Sequence, residues 1–343
     1  MKKLQNTLYV TTPDAYLSLD GENIVLSVKK EERGRKPLHL LDSIVVFGHL
    51  GVSPALLGKC SEYGIVITFL SPSGKFLSRS VGKTYGNVIV RRKQYRVADD
   101  PDHSLHLAAN MISAKMTNSA AVLRRVLSDH RDRVDAEMIE RAAADIKFGA
   151  MQAYAVTSAE SLRGLEGECA NRYFSVFDEL ILAQKDFFVY DGRNRRPPMD
   201  PVNAMLSFGY SLMTSMCTSA LESAGLDSYV GFFHTDRPGR CSLALDLLEE
   251  FRAPFVDRFV LTMINKKVVS DSSFYEKENG AVLLTDEARM EFLKQWQKKK
   301  SEEIIHPYLK EKVQWGMIPF VQAMLLAKYL RGDLDDYPPY IWK

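Results

Sequence analysis

The chain has 343 residues, which is more than one domain usually holds, so we expect two domains and a sizeable hydrophobic core. Apolar residues make up 46% of the sequence and charged residues 26%, a balance that excludes wholesale disorder. The formal net charge is only +2, so any binding of nucleic acid must depend on local basic clusters.

Neither a membrane span nor a cysteine framework is predicted. The N-terminal stretch turns polar after two lysines, and no later apolar run approaches 18 residues, so we expect a cytoplasmic protein. The four cysteines are far apart and form no C-x-x-C pair, which argues against disulfides and structural zinc. We expect all four to be reduced, buried and small apolar in character: Cys60, Cys169, Cys217 and Cys241.

Residues 7 to about 80 show strand patterns. AYLSLDGENIVLSV contains two alternating runs around Asp20-Gly21-Glu22-Asn23, which predicts a hairpin, and SIVVF and IVITFL predict further strands. Ser53 before Pro54 predicts the start of one helix that runs to about Tyr63, and Pro72-Ser73-Gly74 predicts a turn. Residues 1–84 are therefore predicted to form a small β-rich domain with one helix.

From about Tyr85 the apolar residues follow the 3.6-residue period of helices. The predicted fold class is α+β: the small β-rich N-terminal domain is followed by a larger all-α C-terminal domain, residues 85–343, which carries the candidate site.

One helix in that region places a carboxylate among apolar residues. In TSAESLRGLEGECANRYF, Thr157 and Glu160 have the spacing of a capping box, so they predict the helix start. Glu166 falls in the middle of an apolar stripe formed by Leu162, Leu165, Cys169, Ala170 and Tyr173. A buried unpaired carboxylate is costly, so Glu166 must be protonated, paired with a base or bound to a cation.

A second segment, GFFHTDRPGRCSLALDLLEEF, places Asp246, Glu249 and Glu250 on one arc of a short helix. Such an arc is usually a solvated face. However, His234 follows an apolar GFF, and the turn at Pro238-Gly239 can fold it back toward the helix. One imidazole with two carboxylates suits Mg²⁺ or Mn²⁺, and such an ion suits phosphodiester chemistry. The alternative to a metal site is a buried ion pair at Glu166 with a purely structural role.

The other histidines have no metal-ligand spacing on an identifiable helix face, although His103 and His106 lie near three aspartates. Two basic clusters are the preferred phosphate contacts: VRRKQYR with its interleaved tyrosine, and RNRRPP. The candidate DNA-binding residues are Arg91, Arg92, Arg193, Arg195, Arg196 and Arg240.

Three motifs together carry a family resemblance. LRGLEGECANRYF, DPVNAMLSFGYSLM and GFFHTDRPGRCSLALDLLEEFR resemble, in order, the signature segments of the CRISPR-associated adaptation integrases, the Cas one family. The third motif and the compact length look most like the enzymes of type I-C systems. A β-rich N-terminal domain before a larger helical domain is also that family's arrangement, and the resemblance implies that residues 1–84 serve in dimerisation and partner contact.

The resemblance implies a function and a set of site residues. Glu166, His234 and Glu249 become metal ligands and catalytic residues, with Asp246 and then Glu250 as competitors or auxiliary groups. The implied reaction joins the 3′-hydroxyl of a double-stranded prespacer to a repeat-boundary phosphodiester in the CRISPR array, with Mg²⁺ or Mn²⁺. The implied assembly is a pair of homodimers bridged by a small Cas two protein, and participation of a Cas-four-type processing protein stays open. The rival functions are a metal-dependent DNA nuclease, and a non-catalytic DNA-binding scaffold in which Glu166 pairs with a buried arginine.

Overall fold

The computed structural model describes residues 6–48, 50–71, 76–80, 88–194 and 197–342. They divide into two compact units. The first contains the described residues of Met1–Tyr85 with Arg289–Ile304 and Lys312–Ile318, and the second contains those of Gly86–Ala288, Ile305–Glu311 and Pro319–Lys343. Two segments from the predicted helical domain therefore belong to the first unit.

Two four-stranded sheets form the β-structure of the first unit. The strands are β1 (Asn6–Val10), β2 (Ala15–Asp20), β3 (Asn23–Val28), β4 (Glu31–Pro37), β5 (Leu41–Phe47), β6 (Gly51–Val52), β7 (Val66–Leu70) and β8 (Phe76–Arg79). The sheet orders are β4-β3-β2-β6 and β1-β5-β7-β8. The predicted hairpin is confirmed, since β2 and β3 are antiparallel with Asp20 opposite Asn23. In the other sheet β5 runs parallel to both β1 and β7.

The predicted helix of this unit is α1 (Pro54–Glu62), and Ser53 Oγ accepts a hydrogen bond from the Leu56 amide at 3.2 Å, as an N-cap should. The fully buried Leu56 and Cys60 of α1 pack with sheet residues such as Leu17 and Ile67 in one apolar core. In the described part of residues 1–84, α1 is the one α-helix, as predicted; the returning segment Arg289–Ile304 brings most of another helix into this unit.

Helices dominate the rest of the described chain. They are α2 (Val88–Ala98), α3 (Pro101–His130), α4 (Ala136–Gln152), α5 (Ala159–Ser175), α6 (Pro201–Ser223), α7 (Ser242–Glu249), α8 (Arg258–Asn265), α9 (Asp286–Ser301) and α10 (Ile318–Arg331). A π-helical turn, Arg252–Asp257, separates α7 from α8. Helix α3 packs against α4, α5 and α7, so the long helix organises the elements that carry the candidate site. In the described residues no helix is long and apolar enough to cross a membrane.

The α+β class is confirmed, but the prediction that the C-terminal part is all-α was wrong. Strands β9 (Phe274–Glu276) and β10 (Val282–Leu284) form an antiparallel pair in the second unit, and β11 (Glu303–Ile305) and β12 (Lys312–Gln314) form another two-stranded sheet. Three-residue strands are too short for a period-2 pattern to stand out in the sequence.

All four cysteines are free, as expected. Cys60, Cys169 and Cys217 are buried, whereas Cys241 is only half-buried because it lies in the loop just before α7. The prediction of burial was therefore wrong for Cys241.

Candidate active site

A cavity of about 490 Å³ lies within the second unit, between α3, α5, α6, α7 and the π-helical turn. Glu166, His234 and Glu249 all line it, although Glu166 is far from the other two in sequence. The structure therefore brings the three predicted site residues to one place.

Glu166 is half-buried on α5 and is paired with a base. The helix begins one residue later than predicted: Ser158, not Thr157, is the N-cap, and its Oγ accepts from the Ser161 amide at 3.1 Å. The Glu166 side chain is 21% exposed and its carboxylate accepts a short hydrogen bond from Lys115 Nζ on α3. The sequence left three options for this carboxylate: protonation, pairing with a base or binding of a cation. The structure shows pairing with a base, and the base is Lys115 instead of the arginine of the DNA-binding scaffold hypothesis.

The acidic arc of α7 is not a solvated face, because Asp246, Glu249 and Glu250 are all buried. The solvated interpretation of this arc was therefore wrong. Each of the three carboxylates instead binds a different set of partners.

Asp246 holds the loop that carries His234. Its carboxylate accepts from the amides of Phe232 and Phe233 at 2.6 and 3.0 Å and from the amide of His234 at 2.9 Å. His234 Nδ1 lies 2.6 Å from Asp246 Oδ1. In the tautomer that carries its proton on Nδ1, this N–H donates to the Asp246 carboxylate and Nε2 keeps its lone pair. Gly231 permits the close approach, since a Cβ there would lie 2.7 Å from Asp246 Oδ2. The loop folds back onto α7, as the sequence predicted.

Glu249 lines the cavity and contacts two cationic side chains. Its Oε2 lies 2.7 Å from Lys115 Nζ and 2.8 Å from Arg252 Nε. Burial opposes ionisation of this group, but the charges of Arg252 and Lys115 outweigh it and lower the pKa of Glu249 to about 2. Glu249 is therefore an anion at neutral pH.

Glu250 faces away from the cavity, toward the C-terminal stretch. It accepts from the Tyr337 hydroxyl at 2.6 Å, the Tyr340 amide at 2.7 Å and Gln322 Nε2 at 3.0 Å. Burial raises the pKa of Glu250 to about 7, although these hydrogen bonds act in the opposite direction. Glu250 therefore anchors the chain end and is not a cavity-lining group.

Lys115 was missed by the sequence-based prediction. It is the only Asp, Glu, Lys or Arg between Asp102 and Arg124, in a stretch of α3 that is otherwise mostly buried and uncharged, and this isolation was the available signal. Burial favours the neutral amine, but Glu249 and Glu166 outweigh it and raise the pKa of Lys115. The lysine is thus a positively charged ammonium between two carboxylates.

Arg193 forms part of another wall of the cavity. Its guanidinium donates to Asn203 Oδ1 and, at 3.2 Å, to Ser207 Oγ, and it lies 5.4 Å from the centre of the Tyr210 ring. Arg252 lies 4.7 Å from the same ring centre. Of the predicted DNA contacts, Arg193 is thus placed beside the candidate catalytic residues.

The other predicted DNA contacts lie elsewhere. Arg91 is half-buried and donates to the Gly225 carbonyl, while Arg92 is exposed and lines a second cavity of about 750 Å³, together with Lys93, Arg96 and Arg331. The interleaved Tyr95 donates to Asp227 Oδ2 at 2.8 Å, so its hydroxyl is already used inside the protein. Arg240 is half-buried in the loop before α7, and Arg195 and Arg196 lie outside the described residues.

His103 and His106 do not form a joint site. His103 Nδ1 lies 2.7 Å from Asp100, and His106 Nε2 lies 2.9 Å from Asp336. His306 is buried and contacts Gln322 at 3.1 Å, as expected for a core histidine.

The side chains that line the cavity include groups able to act as ligands of a divalent ion. Within the described ranges, no group of three or more His, Cys, Asp or Glu side chains is already arranged to hold a metal ion. Nevertheless, Glu166 and Glu249 share a single cation, the Lys115 ammonium, and His234 lines the same cavity with its imidazole supported by Asp246. Two carboxylates and one supported imidazole are suitable ligands for Mg²⁺ or Mn²⁺.

The comparisons with known proteins place the chain in a class of CRISPR-associated proteins. A profile described as "CRISPR associated protein Cas1" matches residues 8–298, and the chain belongs to this Cas1 family. A protein of Chlorobaculum tepidum named CRISPR-associated endonuclease Cas1 1 is 47% identical over 343 residues, covering all of both chains.

Two solved structures share the fold. One, described as a casposase bound to integration product, has a TM-score of 0.84 at 23% identity and covers 99% of this chain and 95% of its own. The other, from a Cas6-RT-Cas1--Cas2 complex, has a TM-score of 0.82 at 19% identity and covers all of this chain and 36% of its own.

Proposed function

We propose that this protein is a metal-dependent DNA integrase of CRISPR spacer acquisition, of the type I-C kind. It joins prespacer 3′-hydroxyls to the phosphodiesters at the repeat boundary. The observation that carries the proposal is the convergence of Glu166, His234 and Glu249 on one cavity. Membership of the Cas1 family and the fold shared with an integration-product complex support it.

Glu166, His234 and Glu249 would hold the divalent ion. The ion, Mg²⁺ or Mn²⁺, would supply charge stabilisation for the phosphodiester in the transition state. Asp246 orients His234 through Nδ1, so that the lone pair of Nε2 is available to bind the ion. Arg193, in the wall of the same cavity, would bind a phosphate of the DNA.

The reaction is a transesterification and needs no energy cofactor. The prespacer 3′-oxygen forms a bond to the target phosphorus, and the bond from that phosphorus to the 3′-oxygen of the target strand breaks. The proton lost by the attacking hydroxyl is regained, in the net reaction, by the departing 3′-oxygen. One phosphodiester is thus exchanged for another.

The proposed assembly is a homodimer that binds double-stranded DNA, with a small Cas2 protein bridging two dimers. The β-rich N-terminal region is its proposed contact surface. Support for a Cas2 partner comes from the Cas6-RT-Cas1--Cas2 complex, which contains the same fold. A Cas4-type processing protein is a further proposed partner.

The test is an integration assay with the protein and its Cas2 partner, Mn²⁺, a prespacer duplex and a repeat-containing plasmid, using prespacers with a 3′-hydroxyl or a 3′-deoxy end. We expect joined product only with the 3′-hydroxyl, and none from Glu166→Gln or Glu249→Gln. Glu168→Gln is the matched control, because Glu168 is exposed on the same helix as Glu166.

The alternative function is a metal-dependent DNA nuclease with water as nucleophile, which the endonuclease name of the C. tepidum relative favours. Cleavage of branched or linear DNA that does not depend on the prespacer end, without joined product, would support the nuclease and contradict the integrase.

A further inference from the structure

The inference concerns Lys115, whose ammonium is the contact shared by Glu166 and Glu249. Lys115 Nζ binds the Glu166 carboxylate and lies 2.7 Å from Glu249 Oε2, and the lysine side chain is only 15% exposed. The two carboxylates come from α5 and α7, and Lys115 comes from α3. One internal cation thus ties together the two acids proposed as metal ligands.

The charges around these acids are already balanced. Glu166 and Glu249 contribute two negative charges, and Lys115 and Arg252, which also contacts Glu249, contribute two positive charges. A divalent ion added to the same carboxylates would leave this small buried cluster with a net charge of +2. Repulsion at such distances in a partly buried place is strong.

One oxygen atom of each carboxylate is also engaged by a cation. Glu249 Oε2 accepts from both Lys115 and Arg252, and the Glu166 carboxylate is bound by the same ammonium. A lysine ammonium sits on a flexible four-carbon stem, and the adjoining cavity of about 490 Å³ gives it room to move. Of the two cations that contact Glu249, Lys115 is therefore the one more easily displaced.

We infer that Lys115 is a positioning residue: in the metal-free protein its ammonium occupies the metal-ion position between Glu166 and Glu249, and it is displaced when a divalent ion binds. This rests on the proposed metal site. The lysine keeps the two carboxylates together before loading, and it opposes the ion that replaces it. Lys115 therefore sets how tightly the site holds a divalent ion.

The test measures Mn²⁺ binding by isothermal titration calorimetry and thermal unfolding with and without Mn²⁺, without DNA. We expect Lys115→Met to bind Mn²⁺ at least about tenfold more tightly than the wild type, because one opposing charge is gone. We also expect it to unfold at a lower temperature without metal and to gain more from added Mn²⁺. Lys147→Met, at an exposed position on α4, should match the wild type in both measurements.

Two further variants keep the test decisive. If Lys115→Met does not fold without metal, Lys115→Gln replaces it, since a glutamine removes the charge but can still donate to both carboxylates. Lys115→Arg retains the positive charge and should not gain affinity. Unchanged or weaker Mn²⁺ binding by the neutral variants would overturn the inference.

Failure of the proposed function is distinguishable from failure of the inference. If neither the wild type nor the Lys115 variants bind Mn²⁺, the proposed metal site is wrong. If the wild type binds Mn²⁺ and Glu166→Gln weakens that binding, but removing the lysine charge does not tighten it, only the role of Lys115 is wrong.

Discussion

At the residue scale, the three acids of α7 show how neighbouring carboxylates acquire different tasks. Asp246 binds the His234 loop, Glu249 binds Lys115 and Arg252 at the cavity, and Glu250 binds the C-terminal stretch. All three are buried, so the identity of their partners, and not their exposure, separates them. Variants at adjacent positions should therefore fail for different reasons.

The sharpest contrast is between Glu249→Gln and Glu250→Gln. Glu249→Gln should abolish Mn²⁺-dependent integration, because it removes a charge from the cavity. Glu250→Gln should place a side-chain amide against three hydrogen-bond donors, which should lower the free energy of unfolding by about 2–4 kcal/mol. The folded fraction of this variant should still catalyse DNA integration. Urea unfolding and the integration assay check both, and an inactive but stable Glu250→Gln would reverse the assignment.

Asp246→Asn should affect both stability and activity. An asparagine cannot accept from three backbone amides and the His234 ring as a carboxylate does, so we expect a loss of about 2–3 kcal/mol and a 10- to 100-fold fall in Mn²⁺ affinity. Chemical unfolding and calorimetry measure the two effects. Wild-type Mn²⁺ affinity in this variant would show that Asp246 does not position His234.

At the element scale, the π-helical turn after α7 places Arg252 and Asp257 beside α6. Asp257 is buried and accepts from the Tyr210 hydroxyl at 2.5 Å, and Tyr210 also lies against the Arg252 guanidinium. Burial raises the pKa of Asp257 to about 6, although the hydrogen bonds and the nearby arginines oppose the shift. The turn thus contains a carboxyl group that titrates near neutrality.

This carboxyl group predicts a pH dependence of stability. Between about pH 4 and pH 6 the native protein binds more protons at Asp257 than the unfolded chain, so the free energy of unfolding should fall as pH rises through that window, by about 3 kcal/mol from this group. Asp257→Asn should remove that contribution. Urea unfolding at pH 4, 5, 6 and 7 compares the two proteins, and identical pH profiles would contradict the prediction.

At the scale of the whole molecule, the low net charge confines the proposed DNA binding to local basic surfaces. Arg92 and Arg96 are exposed on α2 and line the second cavity, at the cluster that the sequence favoured. Contacts of exposed arginines with phosphates bind DNA without reading its sequence. A defect in this surface should therefore weaken binding to every duplex.

The double variant Arg92→Ala with Arg96→Ala should weaken duplex binding and reduce the slope of log K against log salt by about 2, since each phosphate contact releases about one counterion. Fluorescence anisotropy over a salt series provides the measurement. Arg141→Ala, at an exposed arginine paired with Glu137, is the control and should keep the wild-type slope. An unchanged slope in the double variant would assign α2 to an ordinary solvated face. The same assay applies to Arg195 and Arg196, which lie outside the described residues.

The sequence by itself determined the features that depend on local pattern. The hairpin at Asp20 and Asn23, the helix capped by Ser53 and the periodic apolar stripe around Glu166 follow from turn chemistry, capping and side-chain spacing, which act over a few residues. The motifs likewise marked Glu166, His234 and Glu249 as a possible set before any contact was known.

Only the tertiary structure decided what those residues touch. Helical spacing placed Glu249 and Glu250 on one arc, yet packing against α3 directs one to Lys115 and packing against the chain end directs the other to Tyr337 and Tyr340. Lys115 lies 51 residues from Glu166 in sequence, so no local pattern could pair them. Long-range packing also returned Arg289–Ile304 to the first unit. Contacts between distant segments depend on how whole elements bury their apolar faces, and a sequence period reports only which face is buried.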